Sequence, residues 1–361
     1  MKLTIQLQIL PDADQKAVLL TTMARFNEAA TFAARAGFEA KVFAQPSIHK
    51  LAYREIRDRF GLSAQMAVRA IGKAVECFRR DKAKCPVFKR RGAVTYDERI
   101  LGFKGVDRVS LWTMTGRMVL PLAYGEYQAE RFDRIKGQCD LVYRGDKFFL
   151  LATVDLPEPP PSGVKDFLGV DLGIAVIATD SDGNAHSGKA VEAIRRKHNL
   201  QRKRLGKRNT KGAKKKLKRV AGQEARFRRH ENHCIAKAIV GLAKDTGRGI
   251  AVENLGGIRD RLPVWSKESR NRLSCWSFSQ LVAFLEYKAR LAGVPLVKVD
   301  PRNTSRTCAE CGHCEKENRT SQAKFSCQVC GHQANADRNA ARNIRALAQS
   351  NGAIGLASLT A

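Results

Sequence analysis

The sequence predicts a multidomain α/β protein: a small antiparallel barrel interrupted by helices, then an α/β core that carries a cysteine knuckle. Three observations predict it. Apolar residues alternate in short strand-like runs in two separate regions, with helical periodicity between and after them. The stretch "PEPPPSG", residues 157–163, divides the chain as a linker. Four cysteines follow the pattern C-x2-C-x15-C-x2-C near the end. At 361 residues there is room for two or three domains. The charge is unusual, with 65 Lys+Arg against 35 Asp+Glu for a net +30. Such an excess points to a polyanion partner, nucleic acid before membrane. No run of about 18 apolar residues is present, so no membrane partner is expected. The opening "MKLTIQLQILPDADQ" reads as a strand rather than a signal peptide, so the expected location is cytoplasmic. Ten cysteines in that compartment read as metal ligands or core residues rather than disulfides.

Taken in order, Leu3, Ile5, Leu7 and Ile9 alternate with polar residues and form a strand that Pro11 ends. Asp12 can cap a helix running to about Gly37. A second helix is expected from near Ser47 to Gly61, and a third from Ser63. On the third, Gln65, Arg69, Lys73 and Arg80 share a polar face opposite Met66, Ala70, Ala74 and Phe78. That face reads either as solvated charge or as a nucleic-acid contact. From about Ile100 to Leu156, "RVSLWTM", "RMVLPL", "QCDLVYR" and "KFFLLATVDL" read as strands separated by turn signals. After the linker, "FLGVDLGIAVIATDSDGNAHSG" reads as three strands with an Asp182-Gly183 hairpin. Residues 195–219 contain no Asp or Glu and flow into a helix. They read as a solvated charge run or as a phosphate-tracking segment including Arg202, Lys203, Lys207, Lys214, Lys215 and Lys218. "GIAVENL" and "PLVKVD" are further strands around the helical "SQLVAFLEYKARLAG", and a last helix begins near Ala336.

Cys308, Cys311, Cys327 and Cys330 have the spacing of a zinc ribbon, each pair presenting two thiolates from one turn. Cys311 and Cys314 share the same x2 spacing, so Cys314 is an alternative. Gly312 after Cys311, matching Gly331 after Cys330, favours the first set. Four ligands close a zinc site, making one Zn²⁺ structural. Asp171 and Glu253 each end an apolar strand, beside Gly173 and the pair Gly256-Gly257, and Asp337 opens the last helix. Clustered carboxylates in a basic protein would bind Mg²⁺, and two such ions could drive phosphodiester hydrolysis.

"LGVDLGI", "IAVENL", "YKARLAGVPLVKVDPRNTSRTCAECG" and "CQVCGHQANADRNAARNI" closely resemble the TnpB family of transposon-encoded RNA-guided nucleases, ancestral to type V CRISPR effectors. The resemblance covers residues 165–345 and, more weakly, residues 1–157. It implies a RuvC-like, RNase H-type core over 165–305 and 334–346, with a zinc ribbon inserted at 306–333. It implies a wedge β-barrel over 1–10 and 83–157 and a helical recognition insert over 11–82, while composition sets a linker over 158–164 and low charge and periodicity a loosely ordered tail over 347–361. Carried over by motif, Asp171, Glu253 and Asp337 are the catalytic magnesium ligands, and the four cysteines hold zinc. The implied partners are a guide RNA and double-stranded target DNA, with a monomer favoured. The function implied is guided cleavage of DNA beside a short adjacent motif. Rival readings are a nuclease-inactive guided repressor, a guide-independent ribbon protein or junction resolvase, and a compact CRISPR effector.

Overall fold

The computed structural model describes residues 1–255 and 278–357, the side chains of the last seven excepted. The expected break at Gly256-Gly257 lies outside the described residues. The chain divides into two compact units, Met1–Pro157 and Glu158–Ala361.

In the first unit, seven strands form one antiparallel, nearly closed, barrel-like sheet. They are β1 (Lys2–Ile9), β2 (Val94–Tyr96), β3 (Leu101–Lys104), β4 (Arg108–Thr113), β5 (Gly116–Ala123), β6 (Ile135–Arg144) and β7 (Lys147–Asp155), in the order β2-β6-β7-β1-β5-β4-β3. The alternation in β1 fixes which of its faces meets the core, because Ile5, Leu7 and Ile9 are all buried, and the strand pairs with β5 and β7 on its two sides. The β6–β7 hairpin turns through Gly145 at φ 58° and Asp146 at φ 66°, the two positive values that a type I′ turn requires. The short strands β2 and β3 give no sequence signal, since "VTY" and "LGFK" are too brief to show a period.

Helices α1 (Ala13–Glu39), α2 (Gln45–Phe60) and α3 (Ala64–Arg80) lie between β1 and β2 in the chain. Asp12 caps α1 as expected, accepting from the Gln15 amide at 2.8 Å while Gln15 accepts from the Asp12 amide at 3.1 Å. The polar face of α3 has partners within its own unit. Gln65 and Arg69 both donate to Asp97, and the Lys73 ammonium donates to Asn27 Oδ1 at 2.6 Å and the Ala93 carbonyl at 2.5 Å. The acceptors sit around β2, so three of the four side chains are engaged within this unit. Of the four, only Arg80 is exposed. A one-turn helix α4 (Glu126–Ala129) follows β5.

The second unit holds a five-stranded sheet of β8 (Phe167–Asp171), β9 (Val176–Asp180), β10 (Ala185–Ser187), β11 (Gly249–Glu253) and β12 (Leu296–Val299), in the order β10-β9-β8-β11-β12. Strands β8, β11 and β12 run parallel and β9 runs against β8. Helices α5 (Lys189–Gly206) and α6 (Lys211–Asp245) join β10 to β11, and α7 (Phe278–Ala292) precedes β12. Helix α8 (Ala336–Ala357) ends the chain. The sheet is buried on both faces, as its continuous apolar runs require. Leu168, Val170, Ile250 and Val252 pack on Ile235 and Ile239 of α6 and Leu281 and Leu285 of α7. Phe167, Ala251 and Val299 face the other way, onto Ile344 and Ala348 of α8. Helix α8 runs on to Ala357, so residues 347–357 of the expected loose tail are helical. Ala348 anchors that extension against the sheet. Among the described residues, no helix is long and apolar enough to cross a membrane.

Candidate metal centres

Strand parity places the first two acids. Along β8, Phe167, Gly169 and Asp171 share the face that carries α8, and along β11 Ala251 and Glu253 do the same. The parallel register pairs Ala251 with Gly169 and Val252 with Val170, so the next step sets Glu253 beside Asp171. The third acid is placed by close packing. A Cβ on Gly169 would stand 2.0 Å from the Ala341 carbonyl oxygen, so only glycine lets α8 lie this close on β8. One turn before Ala341 is Asp337, which α8 thereby carries to the end of β8. Asn335 fixes where that helix starts, its Oδ1 accepting from the Asp337 and Arg338 amides at 3.0 and 3.1 Å.

Asp171, Glu253 and Asp337 line one pocket of about 310 Å³, together with Gly173, Pro301, Thr304, Arg319 and Gln322. Burial raises the Asp171 carboxyl to about 7, helped by the negative charges of Glu253 and Asp337. Burial also raises Glu253 and Asp337, opposed at Glu253 by the Thr304 hydrogen bond and at both by Arg319. Arg319 is a site residue that the sequence does not reveal. It comes from the knuckle and its guanidinium lies 3.3 Å from Asp337 Oδ1. One arginine in a cationic chain carries no spacing signal, and only the folded insertion brings it to the acids. Carboxylate oxygens are the hard donors that Mg²⁺ prefers, though among the described residues only the cysteines converge as closely as one ion requires.

The four cysteines converge. Their Sγ atoms all lie within 4.8 Å of one another, with Cys308–Cys330 at 3.7 Å and Cys311–Cys327 at 3.6 Å. Tetrahedral zinc thiolates at about 2.3 Å from the metal would stand about 3.8 Å apart, so the cluster fits Zn²⁺. The two knuckles repeat one backbone pattern. Gly312 donates to the Cys308 carbonyl at 3.0 Å and Gly331 to the Cys327 carbonyl at 3.2 Å, while Cys308 and Cys327 each donate to the carbonyl five residues on at 2.9 Å. Both glycines need a positive φ, 74° and 71°. Cys314 is outside the cluster, bridging by backbone to Thr307. Strands β13 (Lys324–Ser326) and β14 (Gln333–Asn335) complete the insertion around buried Phe325.

The acidless run 195–219 is helical except at 207–210, where α5 gives way to α6. Lys203, Lys207, Lys214, Lys215 and Lys218 are exposed, whereas Arg202 pairs with buried Glu224.

Residues 150–256 match a family described as Probable transposase, OrfB_IS605, and residues 278–344 match the Cas12f1-like TNB domain. The two spans hold the three acids, the four cysteines and the motifs quoted above. In these two spans the chain is similar to transposon-encoded and Cas12f-type proteins. The CRISPR-associated endodeoxyribonuclease Cas12f1 of Sulfoacidibacillus thermotolerans is 33% identical over 238 residues, covering 61% of this chain and 54% of the relative. The chain thus spans about half the length of that relative. InsQ of Escherichia coli (strain K12) is 28% identical over 321 residues, 81% of this chain and 75% of InsQ. A cryo-EM structure of a Cas12f1–sgRNA–target DNA complex shares the fold, with a TM-score of 0.62 at 16% identity over 91% of this chain and 82% of that one.

Proposed function

We propose that this chain is an RNA-guided DNA endonuclease whose Glu158–Ala361 unit is a RuvC-like core of the RNase H type. The observation that carries the reading is the meeting of Asp171, Glu253 and Asp337 in one pocket beside a cluster of four cysteines. The strand sequence third-second-first-fourth-fifth, with acids on the first and fourth strands, supports the fold assignment. Asp171, Glu253 and Asp337 are the residues that would hold Mg²⁺, and Cys308, Cys311, Cys327 and Cys330 those that would hold Zn²⁺. When bound, magnesium supplies an activated water and charge neutralisation at the leaving oxygen. The chain's own groups set the rest. The partly buried acids hold a negative pocket that a phosphodiester enters only once neutralised, and Arg319 supplies a positive charge beside Asp337. The exposed lysines of α5 and α6 track guide-RNA phosphates, while base pairing selects the target. The Met1–Pro157 unit corresponds to the wedge barrel with its helical insert, and a short adjacent motif in DNA is read outside the nuclease core.

The Cas12f1 relative favours one second reading, a compact CRISPR effector of the same chemistry. Genes beside the coding locus separate the two. The primary test is a guide-programmed cleavage assay. Asp171→Ala, Glu253→Ala and Asp337→Ala should each lower cleavage by at least about 100-fold while guided DNA binding persists. Cleavage at the unmodified rate in any of the three would overturn the site, and loss of guided binding in the parent protein would overturn the function.

A further inference from the structure

The cysteine cluster and the carboxylate pocket are joined by a short chain of buried polar groups. Asn343 Nδ2 on α8 donates to the Thr304 carbonyl at 2.8 Å and the Thr307 carbonyl at 2.7 Å. One turn earlier, Asn339 Nδ2 donates to the Thr307 carbonyl at 2.8 Å, and its Oδ1 accepts from the Ala309 amide at 3.0 Å. Thr307 and Ala309 flank Cys308, so these two asparagines grip the first knuckle by its backbone. The Thr304 hydroxyl then donates to Glu253 Oε1 at 2.6 Å, with a weaker approach to the Pro301 carbonyl at 3.1 Å. Asn339, Asn343 and Thr304 are 0%, 9% and 3% exposed.

Burying two amide side chains and a hydroxyl costs stability unless each is satisfied. The asparagines are satisfied only while segment 304–309 keeps its shape. That shape is in turn fixed by the knuckle, because Cys308 and Gly312 close it through the bonds Cys308–His313 and Gly312–Cys308. Leaving the thiolates without metal removes the force that holds the knuckle closed. The far end of the same segment is the hydroxyl that orients Glu253. A hydrogen bond at a metal-holding carboxylate selects which oxygen and which rotamer face the ion.

We propose that Thr304 is a positioning residue for Glu253, and that Asn339 and Asn343 transmit the filling of the cysteine cluster to it, so that divalent-cation affinity at the carboxylates depends on zinc in the ribbon. This rests on the reading of both clusters as metal centres. It makes the ribbon a licence for the nuclease pocket as well as a scaffold. Nuclease metal would be held tightly only by a chain whose ribbon is complete.

The test is Mn²⁺ affinity of the full chain without nucleic acid, read by electron paramagnetic resonance, with zinc content measured on the same sample. Manganese prefers the oxygen donors and leaves the thiolates to zinc. Thr304→Val removes the hydroxyl at nearly constant volume and should weaken Mn²⁺ binding about tenfold while keeping one zinc per chain. Thr304→Ser should restore most of the affinity. Zinc-stripped parent protein should lose a similar factor, and stripping Thr304→Val should add little, since both changes cut one chain of contacts. Unchanged affinity in Thr304→Val would overturn the proposal, as would equal losses in the valine and serine variants. Additive losses from stripping and Thr304→Val would overturn the transmission. If stripping unfolds the ribbon's surroundings, Asn343→Asp replaces it. That variant keeps the shape but loses the amide donor, and must weaken Mn²⁺ binding with zinc still present. A parent protein whose Mn²⁺ binding is indifferent to Asp171→Asn would instead overturn the carboxylate reading itself.

Discussion

Asp171 pays an electrostatic penalty that its strand position makes unavoidable. Burial, then Glu253 and Asp337, raise its carboxyl from 3.8 to about 7. A raised acid favours the folded state fully below its unfolded pKa and loses that contribution as pH climbs through about 7. The metal-free fold is therefore strained by this group at pH 8 and only partly relieved of it at pH 5, since full relief needs a pH below 3.8. Asp171→Asn removes the charge and should raise the melting temperature at pH 8 in divalent-free buffer by several degrees, on the order of 4 kcal/mol at most. At pH 5 the gain should shrink, and magnesium should no longer stabilise the variant. Calorimetry at the two pH values checks both signs, and a substitution that lowers stability at pH 8 contradicts them. This acid's place is legible in the sequence, because the apolar strand ends at it. Arg319 and Thr304 are not, since Arg319 meets the acids only when the insertion folds back and Thr304 meets Glu253 only through the loop that follows β12. Lys73 shows the opposite failure. A helical period reports that a face is polar, but its acceptors Asn27 and Ala93 lie 46 and 20 residues away, where periodicity says nothing.

Helix α8 is positioned by an absence, the missing side chain of Gly169. Gly169→Ala puts a methyl group 2.0 Å from the Ala341 carbonyl oxygen, and the rigid backbone on both sides leaves the helix to shift. Overpacking of this kind costs about 1–3 kcal/mol. The variant should fold, bind zinc and lose most magnesium-dependent cleavage, because Asp337 moves with the helix. Zinc content and a cleavage time course on one preparation check this, and full activity would show that α8 tolerates displacement. The knuckles at this scale are legible in the sequence, since Cys-x2-Cys followed by glycine specifies both ligands and the positive φ beyond them. The capping of α1 is legible for the same reason, as cap and turn chemistry are local. The closeness of α8 to the sheet is not. Glycine in a strand signals a close approach without saying which element approaches.

Across the whole chain, +30 of net charge has to be reconciled with a pocket of three acids. The cationic excess is displayed on helices rather than spread through loops. Neutralising Lys203, Lys207, Lys214, Lys215 and Lys218 together should weaken guide-RNA binding and flatten its salt dependence by about 0.7 in log–log slope for each phosphate contact removed. Filter binding from low to moderate salt measures this, and an unchanged slope would leave that hairpin a solvated surface. Neutralising Arg202 should instead destabilise α5 against α6, because its partner Glu224 is buried. The insertion between β12 and α8 has a consequence of another kind. Its entry is clasped by Asn339 and Asn343, and its exit is fixed where Ala336 donates to the Ala323 carbonyl at 3.0 Å and Asn335 caps the helix. Both attachment points therefore belong to the first two turns of one helix. A segment hung this way can lengthen, shorten or be exchanged between related chains while the sheet beneath keeps its register, because each doubling of a loop costs only about 0.6 kcal/mol. The same helix end thus serves as a socket, and descent with a remodelled ribbon needs no change in the sheet that bears the acids.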